Sequence, residues 1–393
     1  MSDLRRTWQR CADCGHDLDE LARDTRCTEC GGLLEIMHAH PGLDVEVLRQ
    51  RFNTVAPGLA GAGSGVWRFR DVVLPTATAP VSWPEGNTPM LERPSVQRWA
   101  GTPLLLKHEG MNPTGSFKDR GMTVGVTQAV RIGAAAVACA STGNTSASLA
   151  AYAAQAGLAA LVFVPSGGIA MGKLAQSLAY GARTLLVRGD FDDCLRLVES
   201  AHRELGVYLL NSINPFRLEG QKTIVLELLL QLAWQSPDWI AVPAGNLGNT
   251  AAFGKALREA RALGLITKVP RIASVQASGA APFATAFAED FAVRRRVRAE
   301  TVATAIKIGD PASWDRAVRA IRETNGVALA VSDAEILEAK AVIDASGVGC
   351  EPASAASVAG VKRLVAEGTI APGEQVVAIL TGHVLKDPGM LLR

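Results

Sequence analysis

The 393-residue sequence lacks an excess of charge of either sign: 40 Lys and Arg stand against 38 Asp and Glu, a net charge of +2. So weak a field argues against nucleic acid or an anionic membrane as the main partner. The opening stretch MSDLRRTWQRCADC has no apolar core of signal-peptide length. One segment, ASLAAYAAQAGLAALVFVP, approaches the length of a membrane span, but Ser148, Gln155 and Gly157 interrupt it. It reads as an alanine-rich helix stopped at Gly157, followed by a buried strand from Leu161 to Val164. A cytoplasmic protein without membrane association is the expectation. Repeats and low-complexity tracts are absent, as are a Walker loop and a G-x-G-x-x-G fingerprint, which argues against ATP and dinucleotides. Of the six histidines, His383 reads as structural support, and the rest show no metal or triad spacing.

What is present is a chain long enough for two ordinary domains, 48% apolar, with short apolar runs alternating with helical patterns from about Leu104 onward. The strands expected are LLLKHE, AAVACAS, LVFVP, RTLLVR, WIAVPAG, RIASVQA and QVVAILTG. Helices are expected near 118–131, 144–156, 170–180, 191–204, 219–235 and 250–263. Continuous apolar strands, each followed by a helix, predict an α/β fold with parallel sheets covered on both faces. The stretch GLAGAGSGVWRF reads as a linker whose end, Val66 to Phe69, lies on the main body.

Four of the seven cysteines form CADC and CTEC, Cys11/Cys14 and Cys27/Cys30, with Gly15 and Gly31 after the second and fourth. In a reducing compartment this array predicts a structural zinc site rather than a disulfide pair, because four thiolates close a tetrahedron. Reduced thiols in an exposed loop, or a redox role, are the alternatives. Cys139, Cys194 and Cys350 lie in apolar or helical surroundings and read as buried spectators.

In parallel sheets ligands bind beyond the carboxyl ends of the strands, so those loops carry the chemistry. EGMNPTGSFKDRG places Lys118 in the first turn of a helix, an electropositive end that disfavours an ammonium. It is either a structural lysine balanced by Asp119 or a reactive amine. PAGNLGNT sets Gly245 and Gly248 between a strand and a helix, where bare amides can surround a phosphate. In NSINPFRLEGQKT, Asn211, Ser212, Asn214, Arg217 and Lys222 suit a second phosphate; the bland reading is an exposed loop in which Arg217 pairs with Glu219. A reactive lysine and a phosphate cup on such a scaffold are what pyridoxal phosphate needs.

The motifs EGNTPM, EGMNPTGSFKDRGM, STGNTSAS, GKLAQSLAYGA, NSINPFRLEGQKT, PAGNLGNT, AIKIGDPASW, GCEPASAASVAG and TGHVLKDP resemble those of the threonine synthases, within the fold type II pyridoxal-phosphate enzymes. The resemblance runs from about Gly65 to the C-terminus, and the cysteine-rich start also occurs in part of that family and in cysteate synthases. It implies a zinc-ribbon-like segment over 1–40, a large cofactor-binding domain of 41–112 and 211–393, and a small mobile domain of 113–210. It makes Lys118 the Schiff-base lysine, Asn144 the partner of the pyridine hydroxyl and Thr381 that of the ring nitrogen. Gly245, Asn246, Leu247, Gly248 and Asn249 would hold the cofactor phosphate, and Ser141, Thr142, Gly143 and Thr145 the substrate carboxylate. Leu247 stands where a small residue is expected, and Val384 replaces a glycine. The implied reaction is that of a carbon-oxygen lyase of threonine biosynthesis, O-phospho-L-homoserine plus water giving L-threonine plus phosphate, with Asn211, Ser212, Asn214, Arg217 and Lys222 on the leaving phosphate. A homodimer is implied. The rivals are a cysteate synthase using O-phosphoserine and sulfite, a serine or threonine dehydratase, and a non-catalytic binding paralogue. The last finds slight support in Arg5, Arg6, Arg10, Arg23 and Arg26 around the cysteines, while Arg294 to Arg296 read as a solvated face.

Overall fold

The computed structural model describes residues 6–54, 63–166, 171–189, 191–387 and 389. The first five residues of the expected linker, 58–62, lie outside the described residues, as does Arg5. In chain order the strands are β1 (Thr7–Cys11), β2 (Asp17–Leu18), β3 (Leu34–His38), β4 (Met90–Glu92), β5 (Leu104–His108), β6 (Ala136–Ala140), β7 (Ala159–Pro165), β8 (Arg183–Val187), β9 (Tyr208–Leu209), β10 (Trp239–Pro243), β11 (Arg271–Ala277), β12 (Val327–Val331) and β13 (Val376–Leu380). The chain forms two compact units: Met1–Asn87 with Lys118–Thr223, and Thr88–Phe117 with Ile224–Arg393.

The first unit contains the antiparallel sheet β2-β1-β3 and the parallel sheet β8-β7-β6-β9. Val137, Cys139, Leu149, Tyr152 and Val162 pack with Met122 and Val126 in its core. The strand RTLLV reads as apolar as its neighbours, yet β8 is the sheet edge and leaves Leu186 65% exposed. An edge strand has one neighbour fewer to cover it, so apolar content alone does not bury it. Two helices meet almost backbone to backbone. A Cβ on Gly220 would stand 1.7 Å from the Arg120 carbonyl oxygen, and one on Gly121 2.8 Å from that of Arg217. Glycine is required here for close approach, letting Lys118–Arg131 lie against Pro215–Gln221.

That second helix starts earlier than expected. Pro215 presets the first turn and Asn214 Oδ1 accepts from the Phe216 amide at 3.1 Å. The expected helix near 219–235 is therefore two, Pro215–Gln221 and Thr223–Gln231.

The second unit is built on the sheet β12-β11-β10-β13-β5-β4, parallel except for β4. Leu104, Leu106, Trp239, Val275, Ile336, Val358 and Val376 form its core. The expected α/β class with parallel-rich sheets is the one observed. No helix among the described residues is long and apolar enough to cross a membrane. The alanine-rich segment is instead the helix Asn144–Gln155 followed by β7.

One polar side chain interrupts the apolar face of β5. Lys107 Nζ, fully buried, donates to the equally buried Glu227 Oε1 at 2.5 Å, to the Thr88 carbonyl at 2.7 Å and to Gln231 Oε1 at 2.8 Å. Removing one partner of a buried pair leaves the other charge without its counter-ion. Glu227→Gln should therefore destabilise this unit by about 3–5 kcal/mol, measured as a lower midpoint of urea unfolding. A midpoint equal to that of the parent would refute the pair's role.

Candidate active site

In the second unit, β5 runs into a single 3-10 turn, Glu109–Met111, that opens the EGMNPTGSF segment. Glu109 is buried and accepts from Thr88 Oγ1 at 2.7 Å and Asn112 Nδ2 at 2.9 Å. Gly115 adopts a left-handed φ of +86°, and the segment then meets the end of β13. His383 donates its amide to the Gly115 carbonyl at 2.9 Å, and Phe117 donates to that of Thr381 at 3.0 Å. The residue before Lys118 is thus fixed by the residue expected at the cofactor ring nitrogen. The Thr381 side chain lies 3.0 Å from Ser354 Oγ, which also accepts the Gly382 amide at 2.9 Å, and 3.5 Å from Glu351 Oε1. Ser354 and Glu351 were not singled out from sequence. They sit 27 and 30 positions from Thr381, and only the return of β13 brings them together.

The loop after β10 ends at Leu247, whose left-handed φ of +61° caps the helix Gly248–Ala262. Leucine in this conformation costs roughly 1–2 kcal/mol, and its side chain, 1% exposed, is buried in return. No side chain caps the helix N-terminus. Asn246 Oδ1 accepts from the Ala312 amide at 2.6 Å, bracing the loop, while Asn249 is 6% exposed with an unpartnered Oδ1. Gly245 lies against Ile306, where a Cβ would come within 2.9 Å of Cα. Uncapped amides at the start of a 15-residue helix suit an anion, so the residues present fit the cofactor's phosphate. The departure at Leu247 leaves the backbone donors in place.

In the first unit, Lys118 is the first residue of its helix and half-buried. Its neighbour Asp119 is fully buried and accepts from Ser148 Oγ at 2.6 Å. Ser141, Thr142, Gly143, Asn144 and Thr145 follow β6 and are half-buried. Gly143 precedes the helix Asn144–Gln155 with no side-chain cap, and space is open where a Cβ would stand. These amides can receive a carboxylate.

The NSINPFRLEGQKT segment is not an exposed loop. Asn211 spends both ends of its amide on the Ala140 backbone, accepting at 3.0 Å and donating at 3.2 Å, and so extends β6 beside the STGN loop. Asn214 is the helix cap and donates to the Leu209 carbonyl. Ser212 is half-buried. Lys222 Nζ is fully buried and donates to Glu219 Oε2 at 2.5 Å. Arg217 is 1% exposed; Nη1 donates to the Leu210 carbonyl at 3.2 Å, and Nε and Nη2 have no partner. Burial lowers its pKa to about 10, so it remains a cation at neutral pH.

The four N-terminal cysteines converge: their sulfurs lie within 4.8 Å of one another, with Cys11 to Cys30 at 3.4 Å and Cys14 to Cys27 at 3.6 Å. Gly15 and Gly31 both take φ of +75°, and each donates back to the first cysteine of its knuckle. Burial works against charge on Cys11, but the Cys14 and Asp13 amides aimed at its sulfur bring it down to about 7. The Gly32 amide favours a thiolate on Cys30, yet the crowding sulfurs of Cys11 and Cys14 push it up to about 12. Cys139, Cys194 and Cys350 are fully buried, as expected. Around the module Arg10 pairs with Asp17, Arg23 donates to the Ile132 carbonyl and Arg26 to that of Gly31. Arg294, Arg295 and Arg296 make partly exposed pairs with Asp310 and Glu289.

Fold and residues define a pyridoxal-phosphate dependent enzyme, and the family model of that description matches residues 81–382. The threonine synthase of Methanosarcina acetivorans is 45% identical over 96% of this chain and 92% of the relative. That of Methanocaldococcus jannaschii is 46% identical over 98% and 94%. The chain belongs to the threonine synthase family of fold type II enzymes. The crystal structure of threonine synthase from Escherichia coli superposes with a TM-score of 0.73 at 18% identity, covering 98% of this chain and 91% of that one, a likeness of fold.

Asn211→Ala should remove both bonds to the Ala140 backbone and cost about 2–3 kcal/mol. Thermal unfolding with cofactor bound checks this, and an unshifted midpoint would show that β6 does not need the extension.

Proposed function

We propose that the chain converts O-phospho-L-homoserine and water into L-threonine and phosphate with pyridoxal 5'-phosphate as cofactor. The reading rests on Arg217, a buried cation with two unpartnered donors, in a chain whose relatives are threonine synthases. Such a guanidinium suits a phosphate held by two parallel hydrogen bonds. A dehydratase acting on free serine or threonine has no use for it.

When bound, the cofactor supplies an electron sink that acidifies the substrate's carbon–hydrogen bonds. Lys118 would be its attachment point, and the free Lys118 amine would take the α-carbon proton and then help remove one from the β-carbon. Gly245, Asn246, Leu247, Gly248 and Asn249 would hold the cofactor phosphate through backbone amides, with Asn144 as the partner of the ring hydroxyl and Thr381 as that of the ring nitrogen. The Thr381 hydroxyl is neutral and can donate to an unprotonated nitrogen, with Ser354 as its donor in turn. Ser141, Thr142, Gly143 and Thr145 orient the substrate carboxylate. Arg217 and Ser212 would hold the phosphate as it leaves the γ-carbon; the protons taken from the α- and β-carbons are returned at the γ- and α-carbons, and water adds its hydroxyl at the β-carbon, its remaining proton leaving with the phosphate. Asn211, Asn214 and Lys222 belong to the same binding loop, and their internal bonds fix its shape.

The segment 113–210, expected to move during turnover, would carry the Pro215–Gln221 helix with it, because that helix packs on Lys118–Arg131 within one compact unit; the rest of 211–393, with 41–112, is read as holding the cofactor. The 1–40 segment is read as a zinc site. Zn–S bonds of about 2.3 Å in a tetrahedron set sulfurs about 3.8 Å apart, close to the spacings between the two knuckles, and a divalent ion would relieve the crowding that raises Cys30. The holoenzyme is read as a cytoplasmic homodimer whose ligands are small molecules.

Phosphate release from phosphohomoserine, with threonine identified as product, is the direct test. Arg217→Ala should lower kcat/KM by about a hundredfold while leaving bound cofactor unchanged; equal loss of both would refute the assignment. Metal analysis of the purified chain should give one zinc per chain, lost in Cys11→Ser. A metal-free parent protein would refute the zinc site.

A further inference from the structure

The third strand of the four-cysteine module, β3, ends at His38, and this side chain reaches the Pro215–Gln221 helix within the same compact unit. His38 Nε2 lies 2.8 Å from Glu219 Oε2, the same oxygen that accepts from Lys222 Nζ. Its Nδ1 lies 3.1 Å from Thr7 Oγ1 on β1. The three side chains His38, Glu219 and Lys222 are 8%, 1% and 0% exposed. A carboxylate oxygen only accepts, so Nε2 carries the proton and, in neutral His38, Nδ1 accepts from the Thr7 hydroxyl.

A second set of contacts joins the module to the helix that begins at Lys118. Arg131 Nη1 donates to Glu20 Oε1 at 2.6 Å, Gln128 Nε2 to the Glu20 carbonyl at 2.8 Å, and Arg23 Nη2 to the Ile132 carbonyl at 2.6 Å. The module therefore grips both helices of the glycine-packed pair, one carrying Lys118 and the other Arg217. Glu219 and Lys222 neutralise each other, so the uncompensated charge on this helix is that of Arg217, two residues from Glu219. The family model begins at residue 81 and leaves the module unassigned.

We propose that His38 is a positioning residue for the phosphate site. By donating to Glu219 it fixes the helix that aims Arg217, and the N-terminal module thereby sets the affinity of the enzyme for phosphate-bearing substrates. This rests on the reading of Arg217 as the phosphate ligand. Without the imidazole, Glu219 Oε2 loses a donor in a place water does not reach, and the carboxylate turns to find another. Lys222 and the short helix follow it, and the Arg217 guanidinium loses its aim.

The test compares holoenzymes of the parent, His38→Ala and His38→Gln, whose amide nitrogen can take the place of Nε2. The readouts are kcat and KM for phosphohomoserine, the inhibition constant of inorganic phosphate, and the visible absorption of bound cofactor. His38→Ala should raise KM and the phosphate constant about tenfold, with a smaller change in kcat and an unaltered cofactor band, and His38→Gln should restore both constants. Unchanged constants in His38→Ala overturn the proposal. So does a loss of cofactor and activity that His38→Gln fails to restore, since the module would then only support the fold. If His38→Ala does not fold, Thr7→Val, which releases Nδ1 alone, must raise the phosphate constant, and a parental value overturns the proposal. A parent protein that releases no phosphate from phosphohomoserine would sink the substrate reading instead. Calorimetric titration of inorganic phosphate into the same variants would still decide the role of His38.

Discussion

A guanidinium taken out of water with one backbone acceptor is the constraint around which the first unit is arranged. Arg217 keeps the Leu210 carbonyl and leaves two nitrogens unpaired. A fixed, buried cation of this kind is costly alone and becomes favourable when an anion pairs with it. The neighbours are consistent with that. Glu219, the nearest carboxylate in sequence, is engaged by Lys222 and His38. Gly125 leaves room for the arginine stem, whose Cγ would lie 3.3 Å from a Cβ at that position. The Cys139 thiol beside it is neutral, its pKa pushed up to about 12 by burial.

The second unit meets a different demand by different means. Where the first presents one side-chain charge, the loop after β10 presents backbone amides at the head of a long helix, held by Asn246 and by a strained but buried Leu247. Amide donors carry no net charge to desolvate, so they can be kept ready without a buried counter-ion. On the proposed reading, the two kinds of anion recognition suit two roles: a resident phosphate that would stay, and a substrate phosphate that would bind and then go.

Much of the fold could be read from the chain because parallel strands buried on both faces are written as unbroken apolar runs. All seven strands expected on that ground form, and Lys118 opens its helix as the NPTGS turn implied. The strands that escaped notice are short or mixed. β9 is two residues long, β4 three, and the module strands alternate buried and half-buried positions. β12, VALAV, lies at a sheet edge and is only partly covered. Local geometry was legible where motif and turn coincide, as in the converging cysteine knuckles and the left-handed turn after β10. Contacts made across distance were not legible. Nothing near His38 announces a partner 181 positions away, and no local signal shows that Asn211 completes a strand rather than facing outward.

The glycine contact between the helices Lys118–Arg131 and Pro215–Gln221 has a mechanical consequence. At Gly121 and Gly220 no side chain separates the two backbones, so a tilt of one helix drives it into the other's carbonyls and the pair resists relative movement. The amine at one end and the guanidinium along its flank therefore keep a fixed gauge, whatever larger displacement carries them. On the reading proposed for Lys118 and Arg217, a ligand held by both would be measured along its length, and one a carbon shorter or longer between amino and phosphate groups would be rejected by distance rather than by charge.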